Sequence, residues 1–179
     1  NSGQDWYARA LTFADNLASL YNINPLTIVA VIASLSPRNR WERNKQDAES
    51  LCKVYANGGN LEDLMSVKCC TFTPNKAKAV RILTDKVTDR AELLSILKGP
   101  KLQEFFNCIA GDCDDVCIDG HAYSVWLGER ITLANVPSIG KKLRQSIKAD
   151  YQSAAKTLGL NSYVLQAITW VCWKRIHGV

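Results

Sequence analysis

Lys101 directly follows Gly99-Pro100 and opens a helical segment. Its amine therefore stands beside backbone N–H groups that have no intrahelical acceptor, at the positive end of the helix dipole. That field, with the partial burial expected there, makes the amine available as a nucleophile. Eighteen residues on, Asp119 sits in Val116-Cys117-Ile118-Asp119-Gly120-His121-Ala122, a stretch with no other charge. The carboxylate has two readings: a proton acceptor at a reacting centre, or the N-cap of a helix starting near Gly120. His121, one of two histidines, reads either as a catalytic group or as a core side chain donating to a carbonyl. Cys108, Cys113 and Cys117 with His121 are metal-ligand types, but their spacing matches no usual zinc pattern, so no metal is expected.

Positioning such groups falls to helices, because the apolar period is helical nearly everywhere. Residues 5–21 place Trp6, Ala10, Phe13, Leu17 and Leu20 on one stripe. Pro25 opens an apolar helix over 26–35, hydrophobic on most sides and hence central. A long amphipathic helix over 41–55 ends at Gly58-Gly59, and Asn60 caps a short one over 61–65. Residues 74–84 form a basic helix whose apolar face is Ala77, Val80 and Leu83. Thr88-Asp89-Arg90-Ala91-Glu92 starts a helix that stops at Lys98-Gly99, and Pro100 starts the next at once, which requires a tight αα-hairpin over 91–109. An acidic loop over 111–115 precedes a helix over 116–127, and helices over 138–158 and 162–177 close the chain. Lys141, Lys142, Arg144 and Lys148 read as a solvated basic face.

The fold class is therefore all-α. Glycine (10) and proline (5) are too scarce for collagenous or many-turned β architectures. A length of 179 residues suits one domain, here with two lobes: a central lobe over 26–110, and a second from 1–25 with 111–179. A net charge of +5 biases the chain mildly toward anionic partners. The longest uncharged apolar run, residues 25–35, is about half the roughly 20 residues a bilayer span needs. No secretory pattern opens the chain, and Asn1-Ser2-Gly3 reads as a trimmed or added end, since Met65 is the only methionine. The seven cysteines are odd in number and lack a C-x-x-C, so reduced thiols and a cytoplasmic or genome-associated monomer without membrane contact are expected.

Taken in order, several segments resemble the helix-hairpin-helix DNA glycosylase superfamily. Leu93-Leu94-Ser95-Ile96-Leu97-Lys98-Gly99-Pro100-Lys101 is similar to the hairpin of its endonuclease III-like members, which ends in a catalytic lysine. Asp119 with His121 is similar to the Val-Asp-Thr-His segment that follows there at the same interval. Upstream, Leu35-Ser36-Pro37-Arg38-Asn39 with Asn44-Lys45 resembles the family's Leu-Ser-x-Gln-x and Val-Asn. Asn75-Lys76-Ala77 resembles a helix opening in Lys-Ala, and Asp89-Arg90-Ala91 precedes the hairpin as in the family. The likeness covers about residues 26–128. It departs from the pattern at Leu97, where the family has a hairpin glycine, and at Leu102-Gln103, where a small residue is usual.

The resemblance implies a two-lobed helical glycosylase fold and double-stranded DNA carrying a modified or damaged base. It implies Lys101 as nucleophile with Asp119 assisting, facing one another across a cleft, and His121 in support. Lys98, Gly99, Lys76 and Lys78, with Arg81, would meet the DNA backbone; Arg38, Asn39 and Trp41 would lie at the emptied base stack. The cluster cysteines of the endonuclease III branch are absent, so no iron–sulfur cluster and no other cofactor is expected. Two other classes stay open: hypermodification of a base on the same fold, and DNA binding without chemistry.

Overall fold

The computed structural model describes residues 3–111 and 114–179. Among them the chain forms ten α-helices and one 3-10 turn, with no strand: α1 (Trp6–Tyr21), α2 (Pro25–Leu35), α3 (Trp41–Ala56), α4 (Leu61–Ser66), α5 (Thr73–Thr84), α6 (Arg90–Leu97), α7 (Pro100–Ala110), α8 (Gly120–Leu127), the 3-10 turn Leu133–Asn135, α9 (Lys141–Leu158) and α10 (Ser162–His177). No single helix among the described residues is long and apolar enough to cross a membrane.

The helices group into two compact units, a contiguous one of Leu11–Phe106 and a composite one of Asn1–Ala10 with Asn107–Val179. This differs from the expected division at residues 11–25, which group with the 26–106 segment, and at residues 107–110, which group with 111–179. Of the stripe expected on α1, Ala10 and Leu17 are buried, Trp6 and Phe13 are half-buried and Leu20 stays 66% exposed; Tyr7, Ala14 and Ala18 are buried beside them.

In the contiguous unit, Asn24 caps α2 by accepting from the Leu26 amide at 2.9 Å, and Pro25 needs no acceptor at the first helical position. Every residue of α2 from Thr27 to Leu35 is buried. Its polar members are satisfied by backbone carbonyls: Thr27 donates to that of Val87, 60 residues away, at 2.6 Å and Ser34 to that of Ala30 at 2.9 Å. Helices α3, α5 and α6 pack around it. On α5 the buried face is Ala79, Val80, Ile82 and Leu83, and Ala77 is exposed instead of facing the core. Asn60 and Asp63 form a reciprocal capping box on α4.

In the composite unit, Val116, Ile118, Ala122, Ile147 and Tyr151 form the core, with Leu143 and Leu165 packed on it. The helix expected over 116–127 begins only at Gly120, because Asp119, with an extended backbone, takes the N-cap; residues 114–119 are irregular. Helix α9 likewise starts at Lys141 and not at 138.

Gly59 is fixed by contact with its own chain. A Cβ on Gly59 would lie 2.5 Å from Val54 Cγ1 and 2.8 Å from the Val54 carbonyl oxygen, and the Gly59 amide donates to that same oxygen at 2.9 Å. Gly59→Ala is expected to destabilise the protein by about 1–3 kcal/mol through overpacking, measured as a lower denaturation midpoint. Gly58→Ala meets no atom, only the cost of its positive φ, and serves as the comparison.

Candidate functional site

Helix α6 is capped at its start by Asp89, which accepts from the Glu92 amide at 3.0 Å, and ends at Leu97. The chain then turns in two residues. Lys98 takes the left-handed conformation (φ 46°, ψ 75°) and Gly99 has φ 157°. A lysine thus occupies a position that favours glycine, at a cost of about 1 kcal/mol. Pro100 starts α7, and Lys101 follows in its first turn, where the amides lack intrahelical acceptors. Lys101 is exposed, so the partial burial expected for it is not found; Leu102, its neighbour, is the one turned inward.

Beside the turn, between α5 and the hairpin, lies a groove lined by Lys78, Arg81, Ser95, Lys98, Gly99 and Gln103. Two of these side chains finish α6. Lys78 Nζ donates to the Leu97 carbonyl at 2.8 Å, and Gln103 Nε2 to that of Leu94 at 2.9 Å. Arg81 pairs with exposed Asp85 at 3.3 Å. Lys98 is exposed at the groove's edge. Lys76 stands elsewhere: its Nζ donates to the Met65 carbonyl and ties α5 to the end of α4. Of the lysines expected along a DNA backbone, Lys76 and Lys78 therefore already hold backbone carbonyls.

A second cluster surrounds Asp47, a residue that sequence reasoning missed. Its carboxylate is 2% exposed and accepts from Arg43 Nε at 2.6 Å, Asn39 Nδ2 at 3.0 Å and the Cys70 amide at 2.8 Å. Asn39 also donates to the Leu35 carbonyl at 3.1 Å, and Thr71 to that of Pro37 at 2.8 Å. Asn39 is thus an internal anchor and not a free surface group. These bonds lock residues 36–40 to residues 68–72. Arg38, left-handed at φ 52° and exposed, has its guanidinium 5.4 Å from the centre of the Phe72 ring. Trp41 packs edge-on to Phe13 at 6.3 Å, with the Lys45 ammonium 5.7 Å from its ring centre.

In the composite unit, Asp119 Oδ1 accepts from the Ala122 amide at 2.8 Å, so the N-cap reading of Asp119 holds whatever else it does. His121 is half-buried in the first turn of the same helix. Residues 114–119 are held by side chains from α7, α9 and α10. Arg144 donates to the Ile118 carbonyl at 3.1 Å, Gln152 to that of Asp114 at 2.7 Å, and Ser162 to the Asp114 carboxylate. Asp115 accepts from Lys148 at 2.6 Å, Asn107 at 2.9 Å and the Val116 amide at 2.8 Å. Arg144 and Lys148 are consequently not part of a solvated face. Behind them, Tyr7 donates to Gln166 Oε1 at 2.7 Å. Burial, and then the nearby Cys108, Cys117 and Asp119, raise the Tyr7 phenol well above its ordinary range. Burial also pushes Tyr151 up to about 12; a bond with Thr169 opposes this and Asp119 adds to it.

Lys101 thus belongs to the contiguous unit and Asp119 to the composite one. Among the described residues no group of three His, Cys, Asp or Glu is placed to hold a metal ion. Cys113, one member of the set considered from sequence, lies outside the described residues. A profile described as a family of unknown function matches residues 1–177. No curated protein and no solved structure matches the chain.

Asp115 supplies a pH test. Burial alone would raise its carboxyl, but the bonds from Asn107, Lys148 and the Val116 amide outweigh it and hold the group below its ordinary 3.8. A depressed carboxyl stabilises the fold fully above its unfolded value, and that stability is lost as pH falls through the lower folded value. Thermal midpoints are therefore expected to fall from about pH 4 downward. Asp115→Asn should be less stable near neutrality and flatter with pH in that acid range.

Proposed function

We propose that the chain, which belongs to the DUF7178 family of unknown function, is a DNA glycosylase with lyase activity, built as a two-lobed helix-hairpin-helix glycosylase. The observation that carries this reading is the two-residue turn between α6 and α7, with Lys101 in the first turn of the second helix and the basic groove of Lys78, Arg81 and Lys98 beside it. A hairpin that offers open amides and cations suits phosphates of a DNA strand. The substrate is duplex DNA carrying a modified or damaged base, which must leave the stack before its sugar can be reached.

In this reading the Lys101 amine attacks C1′ as the bond from C1′ to the base nitrogen breaks, and the base leaves with that electron pair. The Asp119 carboxylate stabilises the positive sugar and takes the proton that the attacking amine releases. Opening of the sugar ring gives a Schiff base between Lys101 and C1′. Loss of a C2′ proton then expels the 3′ phosphate, and water hydrolyses the imine to free the lysine. His121 lies within one turn of Asp119 and supports it. Arg38, with Phe72 behind it, contacts the DNA where the base has left, and Trp41 lies close by in sequence.

The exposure of Lys101 favours a second reading, DNA binding without covalent chemistry; hypermodification of a base is the enzymatic alternative. Duplex oligonucleotides, each with one modified base, separate these readings when incubated with the protein and borohydride. A trapped protein–DNA adduct supports the glycosylase, and its absence across the set overturns the lyase mechanism. Lys101→Ala is expected to abolish trapping while leaving DNA affinity largely intact, since one charge among several is lost. Asp119→Asn is expected to slow base release about 100-fold. Lys98→Ala should weaken binding and reduce the slope of log K against log salt by about one unit. Lys76→Ala should lower stability instead, because its ammonium holds the Met65 carbonyl.

A further inference from the structure

We infer that Arg144 is a positioning residue for Asp119, acting through the carbonyl of Ile118. The catalytic consequence rests on the glycosylase reading above; the geometric part stands on the composite unit alone.

Arg144, Lys148 and Gln152 are spaced by four residues and share one face of α9. In that order they meet the Ile118 carbonyl at 3.1 Å, the Asp115 carboxylate at 2.6 Å and the Asp114 carbonyl at 2.7 Å. The helix and the segment therefore run in opposite directions, and one stripe of side chains meets the segment at residues 118, 115 and 114.

Arg144 is the member of the stripe nearest Asp119. The carbonyl it holds belongs to the peptide plane from which the Asp119 backbone departs, so fixing that plane fixes where the carboxylate starts. The planar guanidinium suits this task, because its donors are set in a rigid fork. Asp119 in turn holds the Ala122 amide at 2.8 Å, and that amide reports on the carboxylate directly. Lys148 and Gln152 act further back, at residues 115 and 114, and set the course of the segment without touching the peptide next to Asp119.

The test is amide hydrogen exchange of Ala122, with the amides of α10 as the folding control. Arg144→Met removes the donors and is expected to speed Ala122 exchange about 10-fold, leaving α10 unchanged; Arg144→Lys, which keeps a donor, should restore most of the protection. If Arg144→Met does not fold, Arg144→Gln, too short to reach the carbonyl, is expected to give the same acceleration. On a substrate oligonucleotide, Arg144→Met should slow single-turnover base release roughly 10- to 100-fold, with DNA affinity within about twofold of the parent. Unchanged Ala122 exchange in a folded Arg144→Met or Arg144→Gln protein overturns the inference. Faster exchange with an unchanged rate of base release overturns its catalytic part. If the parent protein releases no base from any oligonucleotide, yet Ala122 exchange responds to Arg144→Met and is rescued by Arg144→Lys, the positioning role stands and the glycosylase reading falls.

Discussion

A helix with no polar face cannot be left in water, and α2 is such a helix. Burying each valine, leucine or isoleucine contributes about 1.5–3 kcal/mol, and α2 buries Ile28, Val29, Val31, Ile32 and Leu35 on one side with Ala30, Ala33 and Ser34 on the other. The rest of the contiguous unit follows from covering it. Helix α5 brings Val80, Ile82 and Leu83, α3 brings Ala48 and Leu51, and α6 brings Leu93, Ile96 and Leu97. Because α5 and α6 both dock on the same apolar rod, Lys78 on α5 lands beside the last carbonyl of α6. The groove at the hairpin is a by-product of covering α2.

The composite unit solves the opposite problem. Residues 114–119 are neither helix nor strand, so their backbone groups find no ladder and must be satisfied one at a time. Polar side chains of α9 meet the Ile118 and Asp114 carbonyls and the Asp115 carboxylate accepts from the Val116 amide, while Val116 and Ile118 fill the core between those bonds. The result is an irregular segment whose last carbonyl before Asp119 is held by Arg144. Functional groups need that kind of support, since a carboxylate loosely placed contributes little to a reaction that demands a fixed geometry.

Local signals in the sequence were readable and distant ones were not. Asn60, Asp89 and Asp119 are caps that act on amides two or three residues away, and each does so. The hairpin follows from Gly99-Pro100 for the same reason. Nothing in the sequence singles out Asp47 on its amphipathic helix, because the Cys70 amide it holds is 23 residues away. Lys148 passed for a solvated lysine, its partner Asp115 being 33 positions off. The stripe on α1 holds at Ala10 and Leu17 and fails at Leu20, while small Ala14 and Ala18, which carry little apolar signal, are buried. Lys101 shows the limit in another way: its place at a helix start is a matter of sequence, but its exposure depends on which side of α7 is covered.

The composite unit is discontinuous in the chain, and this has a consequence for the order of events during synthesis. The contiguous unit is complete once Phe106 has been made. Tyr7, made before the contiguous unit, hydrogen-bonds to Gln166, 159 positions later. The first turn of α1 therefore waits without its partner while all the residues between them emerge. Its aromatic residues, Trp6 and Tyr7, stay uncovered for that interval, Trp6 lacking the Trp170 ring it packs against edge-on at 5.4 Å. Closing a loop of that length adds little entropy beyond that of a loop half as long, about 0.6 kcal/mol per doubling. The burden is one of time, and exposed apolar residues on a waiting segment are what chaperones recognise.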